Sequence, residues 1–164
     1  MVRQIVDTPN GDDRFQNLND ETTSFFLKNR IETFSIGAVS GPFVGLGAGG
    51  ARAELDLAEK FGIRDVTLVD KYPVSIDGFE GNYIGQNMFD FLGQTQNKYG
   101  FVTMIGLDYV IEHRRNWQMA WNGLQRITIP NSIVVIFPQP IFDIPYDCFK
   151  VLCDDGCLIT QRTE

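Results

Sequence analysis

The stretch Ser40-Gly-Pro-Phe-Val-Gly-Leu-Gly-Ala-Gly-Gly50 constrains the fold more than any other part of the chain. It starts as a short strand and turns into glycines. A helix follows, with Ala51, Leu55 and Ala58 on one stripe and Gly62 as its stop. Val66-Thr-Leu-Val69 then reads as a buried strand that ends on Asp70. Strand, glycine turn, helix and strand within about thirty residues predict a βαβ unit with a right-handed crossover.

The rest of the chain continues the alternation. Residues 1–17 are polar, carry Pro9, Gly11, Asp12 and Asp13, and read as a flexible arm. Asp20 can cap a helix whose apolar positions Leu27, Ile31 and Phe34 recur at helical spacing. Residues 77–100 read as a loop and then a helix around Tyr83–Gln94, and Phe101-Val-Thr-Met104 as a third strand. Residues 109–124 look helical. Ile133-Val-Val-Ile-Phe137 is an unbroken apolar run of the kind found inside parallel sheets, ended by Pro138 and Pro140. Asp143 to Leu152 predicts a last helix with Pro145 in its first turn, and Cys157-Leu-Ile-Thr160 a further strand. The expected architecture is α/β: a Rossmann-like, doubly wound, mainly parallel sheet of about five strands with helices on both faces, in a single domain over residues 18–164.

Bulk properties narrow the function. With 164 residues and 43% hydrophobic content the chain supports one substantial core. A net charge of −7 disfavours a nucleic-acid substrate, because Lys and Arg supply most phosphate affinity. No stretch approaches the ~20 apolar residues that span a bilayer, and the first residues lack the apolar centre of a signal peptide, so a soluble, cytoplasmic protein is expected. The cysteines, Cys148, Cys153 and Cys157, lie far from His113, the single histidine. A structural zinc site wants four ligands, so these read as ordinary thiols with no metal.

Gly45, Gly47 and Gly50 satisfy G-x-G-x-x-G, and Gly49 adds a further small residue. Such glycines serve a tight turn, close approach of a ligand to backbone, and close packing of helix on strand. Asp70, 25 residues after Gly45 at the next strand end, can accept hydrogen bonds from the hydroxyls of an adenosine ribose, with Lys71 beside it. The competing reading is a solvated strand-end acid. Asp108 holds the matching position after the third strand and can take an adenine amino group, although Asp65 and Asp90 show how common surface acids are here.

Phe43-Val-Gly-Leu-Gly-Ala-Gly-Gly-Ala-Arg-Ala-Glu54, Val66-Thr-Leu-Val-Asp70 and Leu152-Cys-Asp-Asp-Gly-Cys-Leu-Ile-Thr-Gln161 together resemble the class I S-adenosylmethionine (SAM)-dependent methyltransferases over residues 40–164. The glycine loop followed by Arg and Glu is similar to that of the spermidine synthases. The resemblance implies SAM as cofactor, held by Gly45, Gly47, Gly49, Gly50, Asp70, Lys71, Asp108 and Phe137, and methyl transfer to a small-molecule or protein acceptor. It places Phe137–Pro140 beside the methyl group, with Gln139 as the polar contact to the acceptor. Tyr72, Tyr83 and His113 stay second-line and read first as structural.

Two departures stand out. Spermidine synthases carry an aspartate base at the end of the fourth strand, where this chain has Phe137-Pro-Gln-Pro140, so aminopropyl transfer is unsupported. The family's final antiparallel strand pair is not apparent, which leaves Cys157–Thr160 as an open edge and predicts a homodimer across it or through the Asp20–Phe34 helix. Two alternatives remain. One is an NAD(P)- or ATP-binding Rossmann domain of the ubiquitin-activating type, which Gly62-Ile-Arg-Asp-Val-Thr-Leu-Val-Asp70 fits, although residues 71–90 hold Asn82, Gln86 and Asn87 and no arginine. The other is a non-catalytic nucleoside-binding relative.

Overall fold

The computed structural model describes residues 13–37 and 39–164, with side chains from Glu21 onward. Helix α1 (Asp13–Thr33) precedes β1 (Phe43–Leu46), α2 (Arg52–Lys60) and β2 (Val66–Asp70), the βαβ unit expected from the glycine pattern. Then come β3 (Asn82–Gly85), α3 (Met88–Gln94), β4 (Tyr99–Ile105), α4 (Asp108–Ile111) and α5 (Arg114–Ile127). The chain finishes with β5 (Thr128–Phe137), β6 (Phe149–Cys153) and β7 (Leu158–Arg162). Among the described residues these strands form one seven-stranded sheet in the order β3-β2-β1-β4-β5-β7-β6. The first five in that order run parallel, and β7 is antiparallel to both β5 and β6. No described helix is long and apolar enough to cross a membrane.

The unbroken apolar run in β5 has a direct cause. Val134 and Ile136 pack into one core with Trp117, Trp121 and Leu124 of α5, while Ile133 and Val135 pack into the other with Leu27 and Ile31 of α1. A strand covered on both faces has no polar side to alternate.

Several expectations are corrected. The sheet has seven strands rather than about five, and although most of its pairings are parallel it is mixed, because β7 runs against both of its neighbours. The helix expected around Tyr83–Gln94 is strand β3 and then α3, which starts where the Asn87 side chain accepts a hydrogen bond from Phe89 N at 2.8 Å. The helix expected over 109–124 is two, because His113 is extended (φ −119°, ψ 113°) between α4 and α5. The helix expected over Asp143–Leu152 is a loop followed by β6. That segment joins β7 through the turn Asp154-Asp155-Gly156, so the final antiparallel pair is present after all. Its strand Leu158–Arg162 is paired on both sides, which removes the open edge from which a dimer was expected; the edge strand is β6.

Residues 1–12, where most of the expected arm falls, lie outside the described residues. From Asp13 the chain is helical, so Asp20 lies within α1 rather than at its start. Helix α1 belongs to the core: Leu27 and Ile31 are buried, Arg52 pairs with Glu21 at 3.0 Å and Lys60 with Glu32 at 2.9 Å. Ser24 Oγ donates to Asp56, Arg30 pairs with Asp155 at 3.3 Å, and the Phe26 and Phe137 rings lie 5.4 Å apart.

Cys153 and Cys157 are buried beneath α1 with their Sγ atoms 3.9 Å apart, and Cys148 is half-buried. Burial, and then the neighbouring Cys153, push the Cys157 thiol up from 9.0 to about 12. Since the thiolate is the nucleophile, a disulfide reagent at neutral pH is expected to label Cys148 rapidly in the native chain and the other two only after unfolding. Fast labelling of all three without denaturant would contradict this packing. The sign for stability follows: the folded chain keeps the Cys157 proton that the unfolded chain gives up near 9, so this group withdraws stability as pH rises from 9 toward about 12.

Candidate functional site

The site lies at the carboxyl ends of β1, β2, β4 and β5, where strand order reverses on either side of β1. After Leu46 the chain turns through Gly47 (φ +66°), where an added Cβ would lie 2.3 Å from Leu107 Cδ2. The loop therefore packs hard against the β4–α4 turn. Gly49 (φ +50°) faces open space, with no atom within 4 Å of an added Cβ. Gly45 acts differently, for it lies within β1 and a Cβ there would meet Glu54 Cγ at 3.1 Å and Leu68 Cδ2 at 3.2 Å. Its smallness lets α2 and β2 close on β1.

Asp70 is held by the backbone around it. Its Oδ2 accepts from Gly49 N at 2.9 Å and its Oδ1 from Tyr72 N at 2.8 Å. From β3, Tyr83 OH donates to Gly49 O at 2.5 Å, so Gly49 is gripped at both its N–H and its carbonyl. Each carboxylate oxygen keeps further acceptor capacity for a ligand.

Asp70 stands where two cavities meet. The larger, about 540 Å³, is lined by the loop residues Gly47 to Gly50, by Asp70, Asp108, Phe137 and Pro138, and by Thr22 and Thr23 of α1. The smaller, about 240 Å³, shares Gly47, Asp70 and Leu107 with it and adds Lys71, Tyr72, Asn87, Met88 and Tyr109. Burial and then the Asp70 charge raise the Tyr109 hydroxyl above its ordinary pKa, so it stays a neutral donor at physiological pH.

Of the expected site residues, Gly47, Gly49, Gly50, Asp70, Asp108 and Phe137 line the larger cavity and Lys71 the smaller. Gly45 lines neither. Gln139 lines a separate cavity of about 430 Å³ on the far side of Pro138, apart from the glycine loop. His113 is exposed ahead of α5. Sequence reasoning missed Thr22 and Thr23, which come from a helix far from the motif, and no local signal points to them. It also missed Leu107 and Tyr109, which flank Asp108 and follow from the rule that strand ends carry the ligand.

No family model and no curated protein sequence matches the chain. Solved structures do. The protein yhhF of Escherichia coli, described as a methyltransferase, is 12% identical with a TM-score of 0.65, the match covering 83% of each chain. The N-methyltransferase NodS of Bradyrhizobium japonicum, in complex with S-adenosylhomocysteine, is 15% identical with a TM-score of 0.58 over 93% of this chain and 90% of its own. An O-methyltransferase family protein of Burkholderia thailandensis is 12% identical with a TM-score of 0.63 over 93% of this chain and 61% of its own. At such identities the likeness is one of fold.

Proposed function

We propose that this chain, which has the fold of the class I SAM-dependent methyltransferases, binds SAM around Asp70 and transfers its methyl group to a small-molecule or protein acceptor. The observation that carries this reading is the Asp70 carboxylate, fixed by Gly49 N–H and Tyr72 N–H at the junction of two cavities beneath a glycine loop. Such a carboxylate suits a ribose diol and repels a phosphate. The base would lie against Leu107, which lines both cavities at their junction, with its amino group toward Asp108. The amino-acid end would lie along Gly49 and Gly50 under Thr22 and Thr23.

When bound, the cofactor supplies an activated methyl group, and the chain's own contribution is alignment and exclusion of water. Phe137 and Pro138 form the wall where an acceptor approaches, and α1 roofs the cavity. Neither wall residue is an acid or base. This suits acceptors that need no strong base and continues to argue against aminopropyl transfer.

S-adenosylhomocysteine is expected to stabilise the chain by about 2.7 kcal/mol at a hundredfold excess over its dissociation constant. For a chain of this size that raises the melting temperature by roughly 5–10 °C. NAD and ATP should give smaller shifts under the same conditions. A larger shift with either would replace this reading with a nucleotide-binding one.

A further inference from the structure

The cavity beyond Pro138 is not used by the cofactor reading, yet it adjoins the cofactor cavity along the chain: Pro138 lines the first and Gln139 the second. Its lining joins two chemistries. Phe142, Ile144, Tyr146, Phe149 and Leu158 supply apolar and aromatic surface, and the exposed carboxylates of Asp143, Asp147 and Asp154 supply negative charge. Among the described residues no lysine or arginine lines it. Gln139 adds an Oε1 that is buried without a hydrogen-bond donor. The walls are pinned: Trp117 Nε1 donates to Asp143 O at 2.8 Å, Tyr146 OH donates to Asn122, and Thr163 N donates to Cys148 O at 2.8 Å. One face of the Phe142 ring is already covered by the Arg114 guanidinium, 5.0 Å from its centroid, so that face is not open to a ligand.

We propose that this cavity is the anchor site of the acceptor and selects an organic cation, an ammonium on an apolar or aromatic stem. The carboxylates and aromatic faces attract the charge, while the apolar wall takes the stem. An ammonium bound as a cation has no free electron pair and cannot itself receive a methyl group. The cation is therefore the handle, and the reacting atom is another part of the acceptor, on the Pro138 side. The role as acceptor anchor rests on the methyltransferase reading; the cation selectivity does not.

Titration calorimetry with three probes of similar size tests it: 2-phenylethylammonium, neutral 2-phenylethanol and anionic phenylacetate. The ammonium should bind at least about tenfold more tightly than the alcohol, and the acetate most weakly, because the charge-assisted contact is lost or reversed. Asp147→Asn and Asp154→Asn, both at exposed positions, should each weaken the ammonium several-fold and leave the alcohol and S-adenosylhomocysteine unchanged. Added salt should weaken the ammonium alone. Equal binding of all three probes, no binding of any, or variants that do not discriminate would overturn the proposal. Ammonium binding in a chain that ignores S-adenosylhomocysteine would sink the cofactor reading and leave the cation site standing; the reverse result would do the opposite.

Discussion

Asp70→Ala is expected to abolish the thermal stabilisation by S-adenosylhomocysteine while the unliganded chain stays folded. Two charge-assisted hydrogen bonds to a ribose, at roughly 1.5–3 kcal/mol each, correspond to a loss of about a hundredfold or more in affinity. The alanine also leaves Gly49 N–H and Tyr72 N–H without their acceptor, so the glycine loop loses the contact that presents it to the ligand. Asp70→Asn, which keeps one carbonyl oxygen, should fall between wild type and alanine. Calorimetry measures both affinities and circular dichroism checks the fold. An alanine variant that binds as tightly as the wild type would place the nucleoside elsewhere.

A second large effect is expected at a position with no chemistry. Gly100 lies in β4 at the bulge where pairing with β5 shifts between Tyr99 and Phe101. A Cβ there would stand 1.5 Å from Ser40 O and 2.6 Å from Ser40 C, and Gly100 N donates to Pro42 O at 2.8 Å. The obstacle is backbone at the entry to β1, and it cannot rotate aside as a side chain can. Gly100→Ala should therefore cost about 4 kcal/mol or more, read as a drop in the urea midpoint. Gly93→Ala, at an exposed position of α3 with no atom within 4 Å of the new methyl, should instead gain about 0.5–1 kcal/mol. Equal midpoints for the two variants would show that β4 and the Ser40 segment are not in contact.

The candidate site was legible to different depths. Gly47, Gly49, Gly50 and Asp70 follow from a short local pattern, since a glycine turn between a buried strand and a helix already brings the loop to the next strand's end. Phe137 and Asp108 follow from their places at strand ends. Gln139, expected as the polar contact to the acceptor, lies past the bend at Pro138 and lines the neighbouring cavity proposed above as the acceptor's anchor, not the cavity of the glycine loop. Tyr83 read as structural; its hydroxyl, by gripping the Gly49 carbonyl, makes it part of the glycine loop's support.

The sequence by itself determined the βαβ unit, the buried character of β1, β2 and β5, and the glycine loop facing Asp70, because each depends on the pattern of a single βαβ unit or on one unbroken apolar run. Tertiary structure alone decided the two edges of the sheet. Strand β3 buries little on either face and has only Tyr83 and Ile84 half-covered, so its pattern carries almost no alternation. Segment 149–153 was compatible with a helix until its neighbour β7 was in place to accept it. Edge strands draw their stability from a partner on one side, and that partner lies elsewhere in the chain. The roof of the cavity had the same origin: Thr22 and Thr23 reach the glycine loop because Leu27 and Ile31 are buried against the sheet, a contact between segments that no local pattern encodes.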